Sequence, residues 1–182
     1  NTAILELDEL IQGCISENRS CQQALFNRFA NRMMTLCIRY CGNREDAQDV
    51  LQEGFIKLFD HIGDFRNQGP FEGWIRRIFV NTSLAHLRKS HVKYENASLD
   101  EVTAEPEDPS LIDHYAAQEL LELVAELPAG YRIVFNLFAL EGYSHKEIAG
   151  LLKITEATSR TQFFKARKAL RAKMSHKVVT AL

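Results

Sequence analysis

The first residues in this chain with a pattern that can do chemical work are Asp46, Asp49, Gln52 and Glu53. They lie in the stretch Glu45-Asp-Ala-Gln-Asp-Val-Leu-Gln-Glu-Gly-Phe-Ile-Lys-Leu-Phe59. Read at 3.6 residues per turn, this stretch is a helix with two faces. Ala47, Val50, Leu51, Phe55, Leu58 and Phe59 form an apolar stripe, and the acids and the amide gather on another face. Lys57 is the only basic residue in the stretch. A rigid stripe of one sign can meet a basic partner in fixed register. A solvated face with acids favourably placed near the N-terminal end of the helix dipole accounts for the same residues. The stretch alone does not choose between them.

A second group follows on a helix expected over about 71–90. Trp74, Arg77, Asn81, Leu84 and Arg88 share one stripe, and Ile75, Ile78, Thr82 and Ala85 share another that reads as core. The first stripe adjoins the polar loop Gly63–Pro70, which carries Phe65 and is followed by Phe71. Aromatic faces and amide edges of this kind hold bases splayed out of a duplex, so the group suits single-stranded DNA. Core packing is the other reading of Trp74 and both phenylalanines. Asn81 is unfavourable in mid-helix and needs a capping, packing or base-reading role.

The third group is C-terminal. Ser144-His-Lys-Glu147 fits a capping box that opens a short helix. Lys153-Ile-Thr155 is a tight turn, and Thr155 is placed to cap the next helix. On that helix Ser159, Phe163, Ala166 and Leu170 face inward, while Arg160, Thr161, Phe164, Lys165, Arg167 and Lys168 face outward. A short helix, a three-residue turn and a longer basic helix make a helix-turn-helix, whose second helix enters the DNA major groove.

These groups need a helical scaffold, and helical periodicity runs through nearly all of the 182 residues, with strand signals almost absent. Helices are expected at about 4–16, 19–41, 45–61, 71–90, 113–126, 129–141, 144–152 and 156–174. Residues 92–112, with Asn96, Ser98, Pro106 and Pro109, read as a flexible acidic linker. The fold class is therefore all-α, with two small domains: a helical bundle over 1–91 and a helix-turn-helix domain over 113–182. The net charge of −2 conceals segregation. Ten acids and no Lys or Arg lie between Glu95 and Glu126, whereas Lys153–Leu182 holds eight basic residues and one acid. Arg66–Lys93 has six basic residues and one acid, so nucleic-acid contact is expected at both basic segments.

No apolar run approaches the roughly 20 residues needed to cross a bilayer, and no signal-peptide pattern is seen, so a cytoplasmic location is expected. Cys37 and Cys41 could share a helix face, but no His or further Cys stands at zinc-ligand spacing; Cys14, Cys21, Cys37 and Cys41 read as buried reduced thiols. No metal or cofactor is expected.

Four motifs in order resemble the extracytoplasmic-function sigma factors of bacterial RNA polymerase, over about residues 8–172. They are Glu45–Phe59, Phe71-x-x-Trp-Ile-x-x-Ile-x-x-Asn81, Leu127-Pro-x-x-x-Arg-x-Val-Phe135, and Glu141-Gly-Tyr-Ser-His-Lys-Glu-Ile-Ala149 with the helix ending Lys165-Ala-Arg-Lys-Ala-Leu170. The resemblance implies a non-catalytic subunit that gives core polymerase its promoter specificity. Asp46, Asp49, Gln52 and Glu53 would dock on the clamp helices of the largest polymerase subunit. Phe65, Arg66, Phe71, Trp74, Arg77, Asn81, Arg88 and Lys89 would read and melt the −10 element, with a flipped base near Phe65 and Asn81. Thr158, Arg160, Thr161, Phe164, Lys165 and Lys168 would read the −35 element. The resemblance also implies an anti-sigma partner, often membrane-bound, that could hold the chain at the inner membrane, and no small-molecule substrate. A linker of about 21 residues reaches about 70 Å at ~3.3 Å each, and two turns of DNA span about 70 Å. One chain could hold both elements.

The chain departs from the family pattern in four places. Ala85 stands where Asp is usual, Lys153 where the turn usually has Gly, and Ser159-Arg-Thr-Gln162 where Val-Lys-Ser-Arg is usual. Phe138 replaces a common basic residue. The promoter sequence of the family is therefore not carried over to this chain. Two rival readings are a free-standing helix-turn-helix regulator that never binds polymerase, and an enzyme or metal protein using Cys37 and Cys41.

Overall fold

Each turn between the first helices is closed by a residue suited to it. Asn18 accepts from the Ser20 and Cys21 amides and starts α2 (Arg19–Cys41) after α1 (Leu7–Ile15). Gly42, at φ 78°, ends α2 in the left-handed conformation that glycine adopts without strain. Asn43 then accepts from the Asp46 amide and caps α3 (Arg44–His61). A 3₁₀ turn, Ile62–Asp64, leads into the loop before α4 (Phe71–Lys89). The computed structural model describes residues 6–89 and 117–180. The expected linker 92–112 and the expected starts of the first and fifth helices lie outside them. Contacts divide the chain into two units, Asn1–Ser90 and His91–Leu182.

In the first unit α2 packs against α1, α3 and α4, and α3 packs on α4. Leu25, Met33, Leu36, Cys37 and Tyr40 of α2, Val50 and Leu58 of α3, and Ile75, Phe79 and Leu84 of α4 are at most 1% exposed. Leu84 is a correction: it belongs to the core and not to the outward stripe with Trp74. Phe79, Val80, Ser83 and Leu87 are buried with it, because α4 is covered on both sides by α2 and α3. A wide apolar face is the cost-free solution for such a helix. α3 and α4 pack closely at Gly54. A methyl group there would sit 2.4 Å from Cε1 of Phe79, whose ring also meets Phe55 edge-on at 5.1 Å.

The second unit contains α5 (Ala117–Ala125), α6 (Ala129–Phe135), α7 (His145–Leu152) and α8 (Glu156–Thr180). The expected helix over 129–141 is not uniform. Asn136–Leu140 is a π-helical turn, and Glu141 donates its amide to the Asn136 carbonyl at 3.0 Å. Such π turns are rare and occur mostly as single bulges within α-helices. The buried Arg132 guanidinium donates to the Ala125 and Leu127 carbonyls, closing α5. Ser144 and Glu147 form the expected capping box. Thr155 accepts from the Thr158 amide at 3.0 Å. Lys153 sits at φ 56° and ψ 42°, so this turn uses a left-handed lysine where glycine would carry no strain. α8 continues six residues past its expected end.

Phe138 stacks on His145 at 4.3 Å and 13°, and it meets Phe163 at 4.5 Å. His145 Nδ1 lies 2.9 Å from Ser159 Oγ. These contacts tie the π turn, the start of α7 and α8 together. Burial first, then the Arg160 charge, hold the His145 imidazole below its ordinary value of 6.5, with Glu156 opposing.

Two outcomes follow. Gly54→Ala should lower the denaturation midpoint of the first unit. Alanine adds about 1 kcal/mol of helix propensity, but overpacking against Phe79 costs about 1–3 kcal/mol, at the upper end for a ring that is itself enclosed. A raised midpoint would show that Phe79 yields. For His145, the unfolded chain takes up the proton before the folded one, so its stabilisation is present above the ordinary value and lost as pH falls from there through the lower folded value. Thermal unfolding followed from about pH 7 downward should show this loss, and His145→Gln should flatten it.

Candidate nucleic-acid and partner interfaces

The polar face of α3 is open to solvent at Asp49 and Gln52 and half-buried at Asp46 and Glu53, while its opposite side is committed to α2 and α4. The four residues on it are not equivalent. Asp46 accepts from Asn43 at 2.7 Å and pairs with His86 of α4 at 3.2 Å. The Asn43 hydrogen bond and then His86 hold its carboxyl below the usual range. Glu53 pairs with Lys57 at 2.6 Å, and that lysine hydrogen bond is the main reason its carboxyl is also lowered. Asp49 and Gln52 are exposed and have no side-chain partner among the described residues. The face therefore has two residues anchored within the fold and two wholly available.

On α4 the structure separates one expected group into three. Phe65, Arg66, Trp74 and Arg77 line a cleft of about 450 Å³ with Asp64 and Gln68. Phe65 lies 5.5 Å from Trp74, and both rings are half-buried. Phe71 is only 4% exposed; its ring lies 5.0 Å from Phe65 and 5.7 Å from Trp74 and forms the floor beneath them. The expectation for Phe71 is direct contact with DNA; its ring lies beneath the two accessible ones. Asn81 lines an adjoining hollow of about 330 Å³ with Trp74, Lys57, His61, Asp64 and Thr82. Asn81 is exposed, so neither packing nor capping accounts for it. Arg88 and Lys89 are exposed at the end of α4, about 21 Å along the helix from Trp74 at ~1.5 Å per residue, and enter neither hollow.

Lys57, His61, Asp64 and Thr82 are hollow-lining residues that the sequence reading did not select. Their signal was weak: a polar pair at i and i+3, His61 and Asp64, 3.1 Å apart, and a lysine that reads as surface charge. Thr82 donates to the Ile78 carbonyl at 2.8 Å, which leaves its oxygen 3.5 Å from Lys57 Nζ.

On α8 the expected faces are observed. Ser159, Ala166 and Leu170 are buried, and Phe163 is half-buried against Phe135 and Phe138. Gln162, one of the departures, is buried beside Gly130. Arg160 and Lys168 are exposed, and Thr161, Phe164 and Lys165 are half-buried. Thr158 is half-buried with its hydroxyl 2.8 Å from that of Thr155, so it is partly used at the cap. Arg160 is paired with Glu156, an exposed pair of small energetic weight.

All four cysteines are buried thiols outside any disulfide. Burial chiefly pushes the Cys37 thiol up to about 12 and the Cys14 thiol up to about 11, which disfavours the thiolate needed by a nucleophile or metal ligand. Among the described residues no group of His, Cys, Asp and Glu is placed to hold a metal ion, and no helix is long and apolar enough to cross a membrane.

Residues 25–92 match the family model for Sigma-70 region 2, and residues 117–170 match that for Sigma-70, region 4. The chain is 32% identical over 152 residues to the ECF RNA polymerase sigma factor SigE of Mycolicibacterium smegmatis, covering 81% of this chain and 59% of that relative. It is 30% identical over 157 residues to the RNA polymerase sigma-H factor of Pseudomonas aeruginosa, covering 79% of this chain and 80% of the relative. It is 29% identical over 156 residues to the ECF RNA polymerase sigma-E factor of Escherichia coli K12, with coverage of 79% and 81%. With both region models matched in order on the two helical units that carry the polar faces, the chain belongs to the extracytoplasmic-function sigma factors of bacterial RNA polymerase.

Proposed function

We propose that this chain docks on core RNA polymerase and gives it promoter specificity, without catalysis of its own. The observation that carries the reading is one rigid unit with two unlike faces. α3 offers Asp49 and Gln52, without side-chain partners among the described residues, on an acidic face, and the packed neighbour α4 offers aromatic and amide groups around two hollows. A DNA reader acting alone has no use for the acidic face, which repels phosphate. A basic partner does, and the clamp helices of the largest polymerase subunit are that partner. This favours the sigma reading over a free-standing regulator.

In this mechanism Phe65 and Trp74 hold a base drawn out of the −10 duplex, and Asn81 meets a base edge in the adjoining hollow. Arg66, Arg77, Arg88 and Lys89 fix the phosphate path. The −35 duplex lies on α8, with Arg160, Thr161, Phe164, Lys165 and Lys168 facing the major groove and Thr158 at its edge. The working division is 1–91 for polymerase and the −10 element, 92–112 as connector and 113–182 for the −35 element. An anti-sigma protein that covers these basic faces would keep the chain silent in the cytoplasm, or at the inner membrane if that protein is anchored there.

Two tests address the two faces. The double variant Asp49→Arg, Glu53→Arg should lose binding to core polymerase while keeping its melting temperature and its affinity for a −35 duplex. Polymerase binding within twofold of wild type would favour the free-standing regulator. Asn81→Ala, at an exposed position, should leave polymerase binding unchanged and weaken capture of single-stranded −10 DNA by the holoenzyme by about 1–3 kcal/mol. An unchanged affinity would remove Asn81 from the base-reading group.

A further inference from the structure

Among the described residues only two large apolar side chains are exposed, Ile56 at 55% and Ile15 at 43%. An isolated exposed isoleucine is ordinary on a protein surface. The placement of Ile56 is not. It lies seven residues after Asp49, four after Gln52, three after Glu53 and four before Asp60. Each of these spacings puts the neighbour on the same helical stripe, so Ile56 is ringed by the polar groups of the α3 face. The inward side of α3 has its own apolar residues, Ala47, Val50, Phe55 and Leu58, all buried, so Ile56 is not a displaced core residue.

We infer that Ile56 is the apolar anchor of the polymerase-docking face, the desolvated centre of which the acids are the rim. The inference rests on the docking reading of the preceding section and adds to it a contact of a different physical kind. Interfaces commonly place one or two well-buried apolar groups at the centre and charges around them, and the central group carries a disproportionate share of the affinity. The partner that fits is a basic surface with a small apolar recess between its cations: the cations meet Asp49 and Glu53, and the recess takes the Ile56 side chain. The stripe is continuous with the anchored residues Asp46 and Glu53, which are held by His86 and Lys57, so the isoleucine is presented on a braced helix face. A second copy of this chain fits less well, since like acidic stripes would repel.

The two kinds of contact respond differently to salt. Charge pairs at a rim weaken as salt rises, and an apolar contact does not. Binding of the full-length chain to core RNA polymerase, measured across a series of salt concentrations, separates them. Ile56→Ala should weaken binding about 10- to 30-fold at every salt concentration, with the salt dependence unchanged, and Ile56→Leu should recover most of the loss. Asp49→Arg should weaken binding and also alter its salt dependence. Melting temperature and −35 duplex binding should be unchanged in Ile56→Ala, because the side chain is not packed in the core. If Ile56→Ala binds within twofold of wild type while Asp49→Arg does not, the anchor is overturned and the docking face stands. If neither substitution affects polymerase binding, the docking face fails with it. If Ile56→Ala instead abolishes self-association and leaves polymerase binding intact, the occupant is a second copy and the inference is wrong.

Discussion

The close approach of α3 to α4 at Gly54 and Phe79 is the constraint on which the rest of the N-terminal unit depends. The absence of a side chain at Gly54 lets the Phe79 ring lie against the α3 backbone, with Phe55 edge-on to it. Because α3 spends one side on this contact, Asp49 and Gln52 are left on its exposed side. Because α4 spends one side on it, Trp74, Arg77 and Asn81 must face away from the core. The two outward faces are consequently set by one packing event. Polar bridges flank it, from Asp46 to His86 near one end and from Lys57 to Thr82 further along. A partner bound on α3 is thus in fixed geometry relative to a base held on α4, which is what coupling docking to base capture requires.

Charge is divided within this unit in a way that composition cannot show. Asp46 and Glu53 serve two purposes: they belong to the outward acidic face, and they also brace α3 through an α4 histidine and an α3 lysine. Asp49 and Gln52 serve only the outside. The same division recurs on α8, where Arg160 is shared with Glu156 and Thr158 with the cap, while Lys168 is exposed. Exposed pairs of this kind contribute little to stability, so their residues can exchange partners at small cost when a nucleic acid or protein arrives.

Much of this was legible in the sequence for a definite reason. Caps and turns are local, so Gly42, Ser144 with Glu147, and Thr155 could be placed from residue type and spacing alone, and so could the faces of α3 and α8. Non-local packing was not legible. Leu84 shares a stripe with Trp74 by periodicity, but α4 is covered from two sides and the leucine lies inside. Phe71 reads as one aromatic among three, yet it is the one beneath the other two. The π turn at Asn136–Leu140 has no period of its own to detect. Phe138 looked like a lost cation, and its partner His145 lies beyond the Gly142 turn, so only the fold shows that it stacks there and steadies α7 against α8.

The central claim is that two DNA-reading faces become a promoter-reading device only when polymerase joins them. The most direct measurement is run-off transcription with purified core polymerase and this chain on a library of randomised promoters. The account predicts transcripts that require both proteins and that share a two-part sequence preference, with elements about two helical turns apart. Transcription that is no different with and without the chain, although the chain binds core polymerase and duplex DNA separately, would contradict it.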